Sequence, residues 1–107
     1  MPMYLFRASY SPEGVQGVLK EGGTSRMLAT EALVKRVGGK LESYHFSLGG
    51  QDICVIAELP NNGAAAAVAA TIGASGAISS FESTALLTPA EMDAAAKLSP
   101  IYRPPGH

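Results

Sequence analysis

The hydrophobic and polar positions along the chain lay down one pattern twice. Residues 2–48 read as strand, helix, strand, and residues 52–87 read as strand, helix, strand again. The glycine turn Leu48-Gly49-Gly50-Gln51-Asp52 joins the two halves. In the first strand, Met3 to Tyr10, the side chains of Tyr4, Phe6, Ala8 and Tyr10 point one way and those of Met3, Leu5, Arg7 and Ser9 the other. Both sets are largely apolar, which predicts a strand covered on both faces. Ser11-Pro12-Glu13-Gly14 then supplies a serine cap, a proline at the first helical position and an acid near the positive end of the helix dipole. A short helical turn through Val15, Val18 and Leu19 follows, broken at Glu21-Gly22-Gly23.

Thr24 or Ser25 is expected to cap the main helix of the first half, which runs to about Val37. Met27, Thr30, Leu33, Val34 and Val37 form its apolar stripe, while Glu31 and Lys35, four apart, are placed to pair. Gly38-Gly39 ends it. Lys40 to Ser47 is the second strand, and Ile53 to Leu59, almost wholly apolar, is expected at the centre of the sheet. Pro60-Asn61-Asn62 stops that strand and caps a helix over Gly63 to Ile72 that is nearly all alanine. Alanine gives high helix propensity with little bulk, so this helix can lie close to the sheet. A fourth strand covers Ile78 to Leu87. Thr88-Pro89-Ala90-Glu91 then carries a cap, a proline and a capping-box glutamate, and starts a short third helix to about Lys97. The proline-rich end from Ser99 onward is expected to be an extended arm, with Ile101 and Tyr102 as the large side chains to anchor it.

A β-α-β-β-α-β order predicts an α+β, ferredoxin-like sandwich with its helices on one face of the sheet. The other face is left bare, and a homodimer formed through it is the second expectation. Residues 1–98 make the single domain and residues 99–107 the arm, which should cross to the partner or cover a sheet edge.

Composition narrows this picture. The apolar fraction is 47% and the charged fraction 16%, so the surface is thinly charged and some apolar surface should face a partner. A net charge of −1 gives no field to attract nucleic acid or an anionic membrane. No apolar run reaches the roughly 18 residues of a spanning helix, and Met1 to Arg7 lacks the charged-then-apolar order of a signal peptide. The one cysteine, Cys54, has no intrachain partner, which points to a reducing cytoplasm. No phosphate-loop or dinucleotide-binding glycine pattern is present, so no cofactor is expected. One cysteine and one internal histidine fall short of the three or four ligands of a metal site.

Tyr10-Ser11-Pro12-Glu13-Gly14, Glu21-Gly22-Gly23, Gly38-Gly39-Lys40-Leu41-Glu42, Gly50-Gln51-Asp52 and the stretch from Leu86-Leu87-Thr88-Pro89 to Pro104-Pro105-Gly106 follow in an order and spacing that resemble the GYD-domain family of small bacterial proteins. The resemblance covers nearly the whole chain and implies a dimeric α+β barrel fold, with no settled activity. The family's Gly-Tyr-Asp triplet is Gly50-Gln51-Asp52 here, so whatever the tyrosine does is changed or lost.

The candidate site gathers Arg7, Tyr44, His45, Asp52 and Cys54 from strands one to three. The short hairpin places either residue 45 or residue 44 opposite Cys54, a one-residue register that sequence leaves open. A thiol beside His45 would be an activated nucleophile or half of a soft metal site, whereas Cys54 alone is a small buried hydrophobe. Asp52 is either a turn residue bonded to nearby amides or a carboxylate at a pocket mouth that orients substrate or accepts a proton. Arg7 is either paired with Glu58, Glu82 or Asp52, or an anchor for a carboxylate ligand. Tyr4, Tyr10 and Tyr102 read as core or interface, and Tyr44 is the tyrosine best placed for a pocket. Ser11 reads as a cap and His107 as a terminal residue without a role.

Three functions remain open. A small-molecule-binding or accessory protein needs a cavity between sheet and helices of about 300 Å3 or more. A cofactor-independent enzyme, oxygenase- or isomerase-like by analogy with dimeric α+β barrels, needs His45, Asp52 or Tyr44 converging in that cavity. A ligand-free assembly protein needs a filled interior and a second exposed apolar patch.

Overall fold

Each strand pairs antiparallel to its neighbours, in the order β2-β3-β1-β4. The computed structural model describes residues 1–107. The elements are β1 (Met3–Tyr10), α1 (Pro12–Glu21), α2 (Gly23–Arg36), β2 (Lys40–Phe46), β3 (Ile53–Glu58), α3 (Asn62–Ala74), β4 (Ile78–Leu86) and α4 (Pro89–Leu98). This is the α+β, ferredoxin-like arrangement expected from the doubled pattern, with β3 and β1 inside the sheet and β2 and β4 at its edges.

Side-chain alternation sorts the strands into two faces. Tyr4, Phe6 and Ala8 of β1 and Ile53, Val55 and Ala57 of β3 are buried, and they pack with Val34 of α2 and with Ala65 and Val68 of α3. Leu59, just beyond β3, is fully buried at the end of this core. Small residues let the helices lie close: Ala65 and Val68 are the buried positions of the alanine-rich α3. The opposite face carries Met3, Leu5, Arg7 and Ser9 of β1 with Cys54 and Ile56 of β3. These are half-buried or, for Arg7, exposed, so one face of β1 is closed and the other is not.

The first crossover differs from expectation in two ways. It holds two full helices, because α1 continues for ten residues where a single turn was expected. Gly14 and Gly17 weaken the apparent helix propensity there, yet Gly14 is required: a Cβ on it would collide with the Ala77 carbonyl and touch the Tyr10 ring. The cap of α2 is neither Thr24 nor Ser25 but Gly22, which makes no side-chain cap bond. Its φ of 87° suits a residue without a Cβ, and the chain turns straight from α1 into α2.

Other local signals act as read. Ser11 accepts from the Gly14 amide, Asn61 from the Ala64 amide, and Thr88 and Glu91 form a reciprocal capping box. Lys35 lies 3.9 Å from Glu31. Ser11 also donates its hydroxyl to the Gly76 carbonyl at 2.7 Å, and its amide bonds to the Ala77 carbonyl at 2.8 Å. It therefore ties the start of α1 to the loop between α3 and β4. On the edge strand β2 the register with β3 shifts between Leu41 and Ser43, a β-bulge.

α4 and the arm stand apart from this body. Every residue from Leu87 to His107 is exposed, and α4 buries none of its side chains. The molecule is 56 Å long and 23 Å thin. Its radius of gyration is 16.9 Å, against about 13 Å for a compact chain of this length.

Candidate functional site

The pleat separates the residues that sequence placed in one cluster. His45 lies opposite Cys54, Cys54 opposite Arg7, and Arg7 opposite Glu82. These four make one row across the uncovered face. Tyr44 lies opposite Val55 and so belongs to the helix-covered face. The register thus selects His45, not Tyr44, as the neighbour of Cys54 on a face, and the face is the one turned away from the helices. Arg7 reaches Glu82 at 3.2 Å, with both side chains about half exposed. No group of three histidine, cysteine or acidic side chains gathers at any point.

Asp52 sits between the two faces and is held by backbone. Its Oδ2 accepts from the Tyr10 amide at 2.9 Å, its own amide donates to the Ala8 carbonyl at 2.8 Å, and its carbonyl accepts from the Ser47 amide at 2.8 Å. The carboxylate thereby fixes the last residue of β1 against the β2–β3 turn. Gln51 works from the same turn: its Oε1 accepts from the hydroxyls of Ser9 at 2.9 Å and Ser80 at 3.2 Å. It laces the turn to β1 and β4 at the rim of the uncovered face.

The concave surface lies on the other side, around Tyr10. An open cleft of about 580 Å3 runs between α1, the first turn of α2 and the loop from α3 to β4. Tyr10, Arg26, Ser75 and Ala77 line it and also line a second space of about 200 Å3 that reaches inward between α2, α3 and the sheet. The walls of this inner space are apolar, with Leu33, Ile53, Ile72 and Ile78 among them. A third hollow of about 230 Å3, between α1 and the end of β2, is formed by Val15, Val18, Leu19 and Phe46 beside Tyr10 and Asp52.

Polar groups converge where the cleft meets the inner space. The hydroxyls of Tyr10 and Tyr44 are 3.2 Å apart. Arg26 Nη1 donates to Glu21 Oε1 at 2.8 Å. Burial raises the Tyr10 hydroxyl pKa well above its ordinary value, the bond to Tyr44 adds to the rise, and Arg26 opposes it. The phenol is therefore a neutral hydrogen-bonding group at physiological pH, not a base. The bond that Arg26 donates to Glu21 in turn raises the pKa of Arg26. The arrangement offers two hydroxyls and one guanidinium at the bottom of an apolar-walled hollow, with Glu13 and Glu21 at its outer part.

Of the five candidates read from sequence, only Tyr44 lies in this inner space, with Asp52 supporting it from behind through Tyr10. Tyr10, Arg26 and Glu21 were missed. One signal was available: Arg26 is a cation in the first turn of α2, a turn that holds no acid. The helix dipole disfavours a positive charge there, and such a placement calls for a local reason.

A family model described as the GYD domain matches residues 4–96. No protein of curated function matches the sequence.

Proposed function

The chain belongs to the GYD-domain family, and on that footing we propose that it is a homodimer that binds a small molecule in the cleft between sheet and helices. The observation that carries this reading is the convergence of the Tyr10 and Tyr44 hydroxyls with Arg26 on one apolar-walled hollow. Ligand sites combine such walls with a few placed polar groups. The fitting ligand has an apolar body for the inner space and one hydrogen-bond-accepting end for the guanidinium and hydroxyls.

The homodimer is supported by the uncovered face. Leu5 lies opposite Ile56, and Met3 opposite Leu86, with no helix of the chain laid over them. The enzyme alternative needs an acid–base pair in the cleft; His45 is on the other face and Tyr10 is held neutral. The assembly alternative needs a filled interior, and the hollow is open.

Native mass spectrometry of freshly purified protein tests the proposal. The expected spectrum is a dimer carrying added mass, lost in Arg26→Ala and Tyr44→Phe. A dimer at its bare sequence mass that also shows no thermal shift with any member of a metabolite panel would remove the binding reading. A monomer would remove the dimer.

A further inference from the structure

Strand pairing makes the uncovered face of the sheet a grid. One row runs His45, Cys54, Arg7, Glu82 from the β2 edge to the β4 edge. The next runs Ser43, Ile56, Leu5, Thr84, and the last Lys40, Glu58, Met3, Leu86. In the middle row the apolar side chains stand on the two inner strands and the hydroxyls at the two edges. In the first row an imidazole stands at one edge and a carboxylate at the other. Arg7 and Glu82 are about half exposed and His45 is exposed, so all three face water in the single chain.

A second copy can lie on this face in two symmetric ways. Sheets stacked face to face keep their strands within about 30° of one another. The two-fold axis then lies between the sheets and runs either across the strands or along them. Shape does not separate the two, because a twisted sheet is a saddle that matches itself under both rotations. Charge does. An axis across the strands lays each strand on its own counterpart. Centred on the first row, it sets Arg7 on the partner's Arg7 and Glu82 on the partner's Glu82, and like charges repel. Moved along the strands, it sets Arg7 on the partner's Leu5 or the partner's Met3, where a charge loses water and gains no partner.

An axis along the strands, between β1 and β3, keeps every row level and reverses its order. His45 then faces the partner's Glu82, an N–H donor against a carboxylate. Cys54 faces the partner's Arg7, Ile56 the partner's Leu5, and Ser43 the partner's Thr84. Each contact occurs twice, as an isologous interface requires. In the last row Lys40 and Glu58 lie opposite each other at the end of the sheet, with their charges at the rim.

We infer that a second copy of this chain docks on the uncovered face about an axis parallel to the strands, with each β2 over the partner's β4 and each β3 over the partner's β1. The inference rests on the homodimer proposed above and adds its orientation. Glu82 then receives Arg7 from its own chain and the partner's His45, so the row of charges closes across the two copies. The Tyr10 ends of both β1 strands lie at the same end of the pair, and both clefts open there.

Short-range cross-linking reads the orientation. Cys54 is the one cysteine of the chain, so Ser43→Cys and Thr84→Cys are introduced singly and together in a Cys54→Ser background. Both are small changes on edge strands, and they leave His45 and Glu82 in place. With sheets about 10 Å apart and edges three strand spacings or about 14 Å apart, Ser43 lies about 10 Å from the partner's Thr84 and about 17 Å from the partner's Ser43. A bis-maleimide short enough to bridge only the nearer distance is the probe. The expected result is a covalent dimer on a denaturing gel from the double variant and none above background from either single variant. A covalent dimer from a single variant puts the axis across the strands and overturns the inference. No covalent dimer from the double variant, while sedimentation equilibrium still shows it dimeric, overturns this docking and leaves the homodimer standing. A monomer in sedimentation of the unsubstituted chain overturns both.

Discussion

β1 and β3 give their two faces nearly the same kind of side chain and meet opposite fates. Tyr4, Phe6, Val55 and Ala57 are covered by α2 and α3, and each is at most 4% exposed. Met3, Leu5 and Ile56, one residue along, are only half-buried. Apolar character alone therefore does not decide which face becomes core. Connectivity does, because both crossovers deliver their helices to the same side. A strand apolar on both faces, in a chain that covers only one, leaves the other face as the surface on which the proposed homodimer would form.

Three substitutions probe that contrast. Phe6→Ala should have the largest effect, about 3–5 kcal/mol of lost unfolding free energy by denaturant titration, since it opens a cavity in the covered face. Its ring also packs against Phe81, with ring centres 5.7 Å apart, so local collapse cannot fill the space cheaply. Leu5→Asp, on the strand's other face, should act on association. A dissociation constant raised about a hundredfold, or about 2.7 kcal/mol, is expected by sedimentation, with the monomer still folded by circular dichroism. If Leu5→Asp instead unfolds the chain, the two faces contribute alike and the contrast fails. Arg7→Ala should be the smallest: the exposed pair with Glu82 is worth about 0–1 kcal/mol, read as a small change in melting temperature.

The fold was legible where one residue acts alone. Ser11, Asn61 and Thr88 cap the helices they announce, and the apolar run of β3 marks an interior strand. Legibility failed where two segments had to meet. α1 looked like a turn because Gly14 weakens a helix, yet its missing side chain is what admits the Ala77 carbonyl. Gly22 left no side-chain oxygen to announce a cap. The candidate cluster mixed two faces because alternation with period two turns one unknown register into two incompatible sites. Tyr10, Arg26 and Tyr44 come from three elements, and no local spacing links them. Asp52 was readable as a turn residue, but what it holds in place, the amide of Tyr10, belongs to the tertiary structure.

The β2 bulge bears on solubility. An outer strand with a regular ladder invites a foreign strand to add itself, and repeated addition gives fibres. Between Leu41 and Ser43 the spacing of β2 slips, and Lys40 and Glu42 place charge beside the irregularity, 3.7 Å apart. A bulge twists an edge and spoils the even comb of amides and carbonyls that templating needs. On this side the sheet resists growth within its own plane.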